Sequence, residues 1–140
     1  MKIDFNYEID FKLDKESNYT DWINKIITSE SSSLGSLNYI FCDDAYLVEI
    51  NQQYLNHNTL TDIITFDYSD KNEISGDIFI SIERVMENAS DYNVDFEEEL
   101  KRVMSHGVLH LLGYNDKTKE DKQVMRSKEN EMIQLFHVEQ

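Results

Sequence analysis

The chain has a single cysteine, Cys42, no proline, four glycines and 13 Lys+Arg against 28 Asp+Glu. Each scarcity excludes something. One cysteine rules out an intrachain disulfide, an all-cysteine zinc ribbon and a Cys-x-x-Cys redox site, and it suits an intracellular, cytoplasmic address. A formal charge of −15 argues against a broad nucleic-acid-binding surface. No run approaches the ~20 apolar residues that span a bilayer, so no membrane partner is expected. The stretch Met1 to Glu8 alternates and is acidic where a signal peptide would be basic and then continuously apolar. Average usage would give about seven prolines and about ten glycines in this length. The glycines present, Gly35, Gly76, Gly107 and Gly113, are therefore informative.

With 140 residues, 40% hydrophobic and 11% aromatic, the chain is long and apolar enough for one core. A single domain over residues 1–140 is expected. Lys2 to Phe11 alternates, with Ile3, Phe5, Tyr7 and Ile9 on one face, which predicts a half-buried strand. Tyr19, Trp22, Ile23, Ile26 and Ile27 recur at helical spacing, with Asn18 or Thr20 as cap. Ser29 to Ser36 reads as a surface loop. Leu37 to Cys42 is a short strand, and Asp43-Asp44 open a helix bearing Tyr46, Leu47, Ile50 and Tyr54. Ile63–Tyr68 and Ile78–Ile82 are two further strands flanking a polar loop at Ser69 to Glu73. Helices follow over Glu83 to Tyr92, ending near Asn93, and from Asp95 through Leu111, where Asp95 and Glu98 have capping-box spacing and Gly113 supplies a left-handed stop. Thr118 and Asp121 open a last helix bearing Met125, Met132 and Phe136. The order predicts an α+β fold, a small mixed sheet of about four strands packed with about five helices.

His106 and His110 lie four residues apart in the apolar helical stretch, so their imidazoles project from one face a turn apart. That geometry suits a pair of metal ligands, and it also suits ordinary packing. Asp116, six residues on and past the Gly113 stop, is placed to swing its carboxylate back to the same point, or to serve as a turn residue before the last helix. Two imidazoles and a carboxylate leave an open coordination position, the pattern of catalytic rather than structural zinc, where a bound water is acidified toward pKa ~7. Zinc proteases of the His-Glu-x-x-His type carry a glutamate directly after the first histidine. Gly107 occupies that position, so peptide hydrolysis by that mechanism lacks its base, whereas phosphodiester cleavage does not require it.

The run His106-Gly107-Val108-Leu109-His110-Leu111-Leu112-Gly113-Tyr114-Asn115-Asp116 resembles the signature of the YbeY family of rRNA-maturation endoribonucleases, His-Gly-x-Leu-His-Leu-x-Gly-Tyr-Asp-His. Seven of its nine defined positions match, and the departures are Asn115 and Asp116. Asn51-Gln52-Gln53-Tyr54, Thr61-Asp62-Ile63-Ile64-Thr65-Phe66 and Gly76-Asp77-Ile78 resemble further family segments, so that the likeness covers roughly residues 37 to 136. The resemblance implies a metal-dependent, single-strand-specific endoribonuclease of small-subunit rRNA 3′-end maturation and ribosome quality control, in contact with the ribosome or its proteins. It implies one divalent metal, zinc, held by His106, His110 and Asp116 at the end of a helix in the C-terminal half. Asp116 in place of the family histidine lowers the site charge by one and opens it to Mn or Fe. The alternatives are a metal-dependent hydrolase of another substrate class, and a non-catalytic ribosome-associated factor with a structural metal.

Leu55 replaces the family's arginine after the tyrosine, and Leu60 its proline. His57 is a possible substitute substrate contact, or an exposed loop histidine. Asp62 and Asp77 read as strand-end turn caps, Tyr114 as packing beneath the ligand turn, and Glu97-Glu98-Glu99 as charge complementing a helix N-terminus. Lys101 to Lys128 carries +4 within a chain of −15 and encloses the histidine motif. It predicts a cationic rim for phosphates.

Overall fold

A computed structural model describes residues 2–55 and 61–138. The elements run β1 (Lys2–Tyr7), α1 (Glu16–Ser29), β2 (Ser33–Cys42), α2 (Asp44–Leu55), β3 (Ile63–Asp67), β4 (Glu73–Ser81), α3 (Ile82–Tyr92), α4 (Phe96–Leu111) and α5 (Lys119–Val138). The four strands form one mixed sheet in the order β1-β2-β4-β3. β1 and β4 pair in parallel with β2, and β3 runs antiparallel to β4 at the edge. The α+β expectation holds, strand and helix numbers included.

Alternation along the strands sorts the side chains into two layers. Leu37, Tyr39 and Phe41 of β2 and Ile78 and Ile80 of β4 join the main core with Trp22, Ile23, Met104 and Val108, under α1, α4 and α5. Cys42 and Ile64 point the other way and pack with Leu47 of α2 and, at the margin, Phe66 and Phe79. On β1 the predicted face is realised, with the Phe5 ring stacked 5.8 Å from that of Tyr39 and the Tyr7 ring 5.5 Å from that of Phe41. The strand stops at Tyr7, four residues before the alternation does.

Four local expectations change. β2 begins at Ser33, so residues 33–36 are strand rather than loop. Backbone pairing of Ser33 with Glu73 and Leu34 with Ile74 builds this end, with an irregularity between Leu34 and Leu37. β4 likewise starts at Glu73, and Ile82 opens α3 instead of closing the strand. α1 starts at Glu16 after Lys15 in the left-handed region (φ 60°), with no side-chain cap, so neither Asn18 nor Thr20 caps it. Its first turn is polar and lies outside the apolar period, and the Tyr7 hydroxyl binds Glu16 at 2.5 Å. Asp95 precedes α4 without accepting a capping bond, whereas Thr118 and Asp121 do close a box, with Asp121 N to Thr118 Oγ1 at 3.0 Å. Asn93 ends α3 at φ 58°, and Gly113 follows α4 at φ 105°, the left-handed stop its position predicts.

Candidate metal centre

α4 lies across the sheet and turns one stripe, Glu99, Arg102, Val103, His106 and His110, into a cleft of about 380 Å³. The opposite walls come from the start of β3, from Asn88 and Tyr92 of α3, and from Arg126 and Glu129 of α5. Gly107 sits on the reverse side of α4. A Cβ there would stand 2.9 Å from Cγ2 of Ile78 and 3.0 Å from Cδ1 of Ile63. A side chain larger than a methyl has no room there while α4 lies this close to the sheet, which accounts physically for the missing glutamate at this position.

The sharp turn at Gly113 brings Asp116 back over the helix end. Its Oδ2 lies 3.2 Å from Nε2 of His106 and 3.4 Å from Nε2 of His110. Ligand atoms about 2.0–2.2 Å from a common tetrahedral ion stand about 3.3–3.5 Å apart, so these spacings fit one ion. The ligand atoms of all three residues lie within 4.8 Å of one another, and among the described residues they are the one such cluster. His106, His110 and Asp116 are thus brought together as the spacing predicts. His57 and Leu60 lie outside the described residues, as does the side chain of Leu55.

The second nitrogen of His106 is also engaged. Nδ1 lies 2.5 Å from Oε2 of Glu129, a buried carboxylate on α5. Arg102 Nη1 reaches Oε1 of Glu129 at 3.2 Å, and its Nη2 donates to Asn130 Oδ1 at 2.9 Å. A carboxylate on the far side of a histidine ring fixes the tautomer that leaves Nε2 free to ligate, and orients the ring. Burial works against charging the His106 imidazole, but the Glu129 hydrogen bond and the Glu129, Asp116 and Asp62 charges outweigh it and raise its pKa. Such an environment favours positive charge at this point. A divalent ion held by these residues would supply it.

The turn bearing Asp116 is pinned from below. The Tyr114 hydroxyl donates to Glu30 Oε1 at 2.6 Å, and Lys128 Nζ donates to Glu30 Oε2 at 2.8 Å. Tyr114 therefore has the packing role its position suggests, and a tethering one besides.

Several side chains differ from their sequence readings. Asp77 lies inside β4 and accepts from Asn38 Nδ2 at 2.9 Å, so it is a cross-strand partner and not a strand-end cap. Asp62 precedes β3 and lines the cleft, where burial raises its carboxyl pKa. Glu97 and Glu98 are exposed at the start of α4, but Glu99 is buried and faces the cleft. The cationic rim is narrower than composition implies. Lys101 is buried with its ammonium 3.9 Å over the Phe136 ring, Lys128 serves Glu30, and Arg102 serves Glu129. Arg126, its side chain 58% exposed, lies at the mouth with Nη1 3.8 Å from Oε1 of Glu129. Asp62, Glu99, Asp116 and Glu129 outnumber Arg102 and Arg126 in the lining, so this cleft suits a cation before it suits a phosphate.

Known proteins share this arrangement of elements and sequence. The family model described as Endoribonuclease YbeY matches residues 4–137. A Flavobacterium psychrophilum protein named Endoribonuclease YbeY is 64% identical over 138 residues, covering 99% of each chain. Its namesake from Flavobacterium johnsoniae is 62% identical with the same coverage. The solution structure of a Thermotoga maritima protein superposes with a TM-score of 0.71 at 25% identity, over 99% of this chain and 91% of that one. From the family match along nearly the whole length and the high identity to these relatives, the chain belongs to the Endoribonuclease YbeY family.

Proposed function

We propose that the chain is a metal-dependent endoribonuclease that cuts single-stranded RNA, acting in small-subunit rRNA 3′-end maturation and ribosome quality control in the cytoplasm. It works as one domain over residues 1–140, in contact with the ribosome or its proteins. The observation that carries the activity is the meeting of His106, His110 and Asp116 in an open cleft, with Glu129 behind His106. The names of the relatives point the same way.

His106, His110 and Asp116 hold one divalent ion. The donor set suits zinc, and its carboxylate and two imidazoles also serve Mn or Fe. When bound, the ion supplies Lewis-acid polarisation of a phosphoryl oxygen. Glu129 engages Nδ1 of His106 so that Nε2 is the nitrogen turned to the ion, Tyr114 holds the Asp116 turn, and Arg126 offers an exposed guanidinium to the RNA backbone at the cleft mouth. Gly107 supplies no protein base, which disfavours the peptide-hydrolase alternative. Among the described residues no helix is long and apolar enough to cross a membrane.

The test is elemental analysis of protein purified without a metal-affinity column, paired with cleavage of labelled single-stranded and duplex RNA. About one metal per chain is expected, with cleavage confined to the single strand and abolished by chelator and by His110→Ala. Cleavage that persists in His110→Ala would overturn the reading.

A further inference from the structure

Glu99 feels the opposite charges of Arg102 and Arg126 but bonds to neither. It is 4% exposed, faces the cleft, and among the described residues its side chain makes no hydrogen bond or ion pair. Arg102, one turn along α4, is spent on Glu129 and Asn130. Asp62, on the facing wall, adds a like charge that Glu99 must tolerate. A carboxylate that faces a cleft without a hydrogen-bond donor from the protein takes its hydrogen bonds from whatever enters the cleft.

What enters is not a second metal ion. Among the described residues the convergent ligand group is His106, His110 and Asp116, and Glu99 does not belong to it. At about 1.5 Å of rise per residue, Glu99 lies about 10 Å along α4 from His106. That is too far for proton transfer at a phosphate held by the metal ligands. It is the reach of a neighbouring nucleotide. Tyr92, 60% exposed, lines the same cleft.

We propose that Glu99 is a specificity-determining residue, which accepts hydrogen bonds from the Watson–Crick edge of a guanine one nucleotide from the scissile phosphate, while Tyr92 stacks on that base. An ionised carboxylate is acceptor-only, with two parallel oxygens. Guanine alone presents two adjacent donors there, N1–H and N2–H. Adenine and cytosine place a ring-nitrogen acceptor beside their amino group, and uracil flanks one donor with two carbonyls. Each of these three sets an acceptor against Glu99, which is how a buried polar group rejects the wrong base. Stacking on Tyr92 adds affinity without preference among bases.

This inference rests on the endoribonuclease reading, and binding separates the two. The experiment measures fluorescence anisotropy of metal-loaded protein with uncleavable 2′-O-methyl oligouridines, in which one position at a time carries G, inosine, A, C or U. At one position G should bind about tenfold tighter than U, with inosine, which lacks the N2 amino group, between them. In Glu99→Gln the G-to-U ratio should fall to about twofold or less, with metal content unchanged. Tyr92→Ala, at an exposed position, should weaken all five oligonucleotides alike. Equal binding of every base by the unaltered protein would overturn the proposal. So would an intact G-to-U ratio in Glu99→Gln, or loss of its metal, and unchanged binding in Tyr92→Ala would remove that ring from the subsite. A base preference without RNA cleavage would sink the endonuclease reading and leave the guanine subsite standing; cleavage without base preference would do the reverse.

Discussion

Glu129 on α5 holds Nδ1 of His106 on α4 at 2.5 Å, so an imidazole and a carboxylate 23 positions apart act as one unit at the mouth of the cleft. The Glu129→Gln change preserves shape and removes the charge that orients the ring. Metal affinity is expected to fall about 10–100-fold, measured by competition with a chromophoric chelator. Far-UV circular dichroism should be unaltered. Unchanged affinity would reduce Glu129 to a packing role with Arg102.

Tyr114→Phe deletes one hydroxyl and leaves the ring. The bond to the Glu30 carboxylate is part-buried and shared with Lys128, so the loss should be about 1 kcal/mol in urea unfolding. Because the same bond tethers the Asp116 turn, the variant should also bind its metal more weakly. Equal stability with weaker metal binding would place the hydroxyl's effect in the turn alone.

A methyl group on Gly107 meets Ile78 and Ile63 on the buried side of α4. Overpacking of this kind costs about 1–3 kcal/mol, against roughly 1 kcal/mol gained from helix propensity. Gly107→Ala should therefore be modestly destabilised in chemical denaturation. Gly107→Glu, the residue that metalloprotease helices carry here, should yield no folded protein and no peptidase activity. A folded and stable glutamate variant would contradict the close approach of α4 to the sheet.

Asp44 supplies a pH signature away from the cleft. Burial pushes its carboxyl pKa up, but hydrogen bonds from Arg84 Nη2 at 2.9 Å and Ser81 Oγ at 2.7 Å outweigh this and hold it below the ordinary value. A carboxyl depressed on folding stabilises the native state above its unfolded-state pKa, about 3.9. That contribution disappears as pH falls through the lower native value. Asp44→Asn should therefore melt below the unaltered protein at pH 7, and the gap should close toward pH 3. A gap constant from pH 7 to pH 3 would show that Asp44 acts through shape and not charge.

What was readable in the sequence was periodic or closely spaced. Alternation located β1 and the centres of β2 and β4, helical spacing located α1, α4 and α5, and four residues between histidines placed both rings on one face. The Gly113 stop was enough to bring Asp116 to them. The beginnings of β2 and β4 were hidden because Ser33 and Glu73 are strand by mutual pairing, a nonlocal cause. Glu129 and Glu99 were hidden because each is one acid among many in an acidic chain. A signal existed nonetheless. Glu129 lies four residues after Met125 and three before Met132, and Glu99 three after Phe96 and four before Val103, so each is a charge set on an apolar stripe. The cationic rim is narrower than predicted for the converse reason. Counting charges by segment ignores that Lys101, Arg102 and Lys128 each face a partner inside the fold.

The tie between His106 and Glu129 also sets an order of events during biosynthesis. α5 is made after both histidines, and it carries both Glu129 and the Met132 carbonyl that receives Trp22 Nε1 at 2.7 Å from 110 residues upstream. Strands, sheet and both histidines have all been synthesised before the buried carboxylate that orients the first of them exists. A nascent chain arrested within α5 thus presents His106 and His110 with an uncovered core and an untethered ring. A metal site with its orienting carboxylate in place would therefore be complete only once α5 has docked on α4.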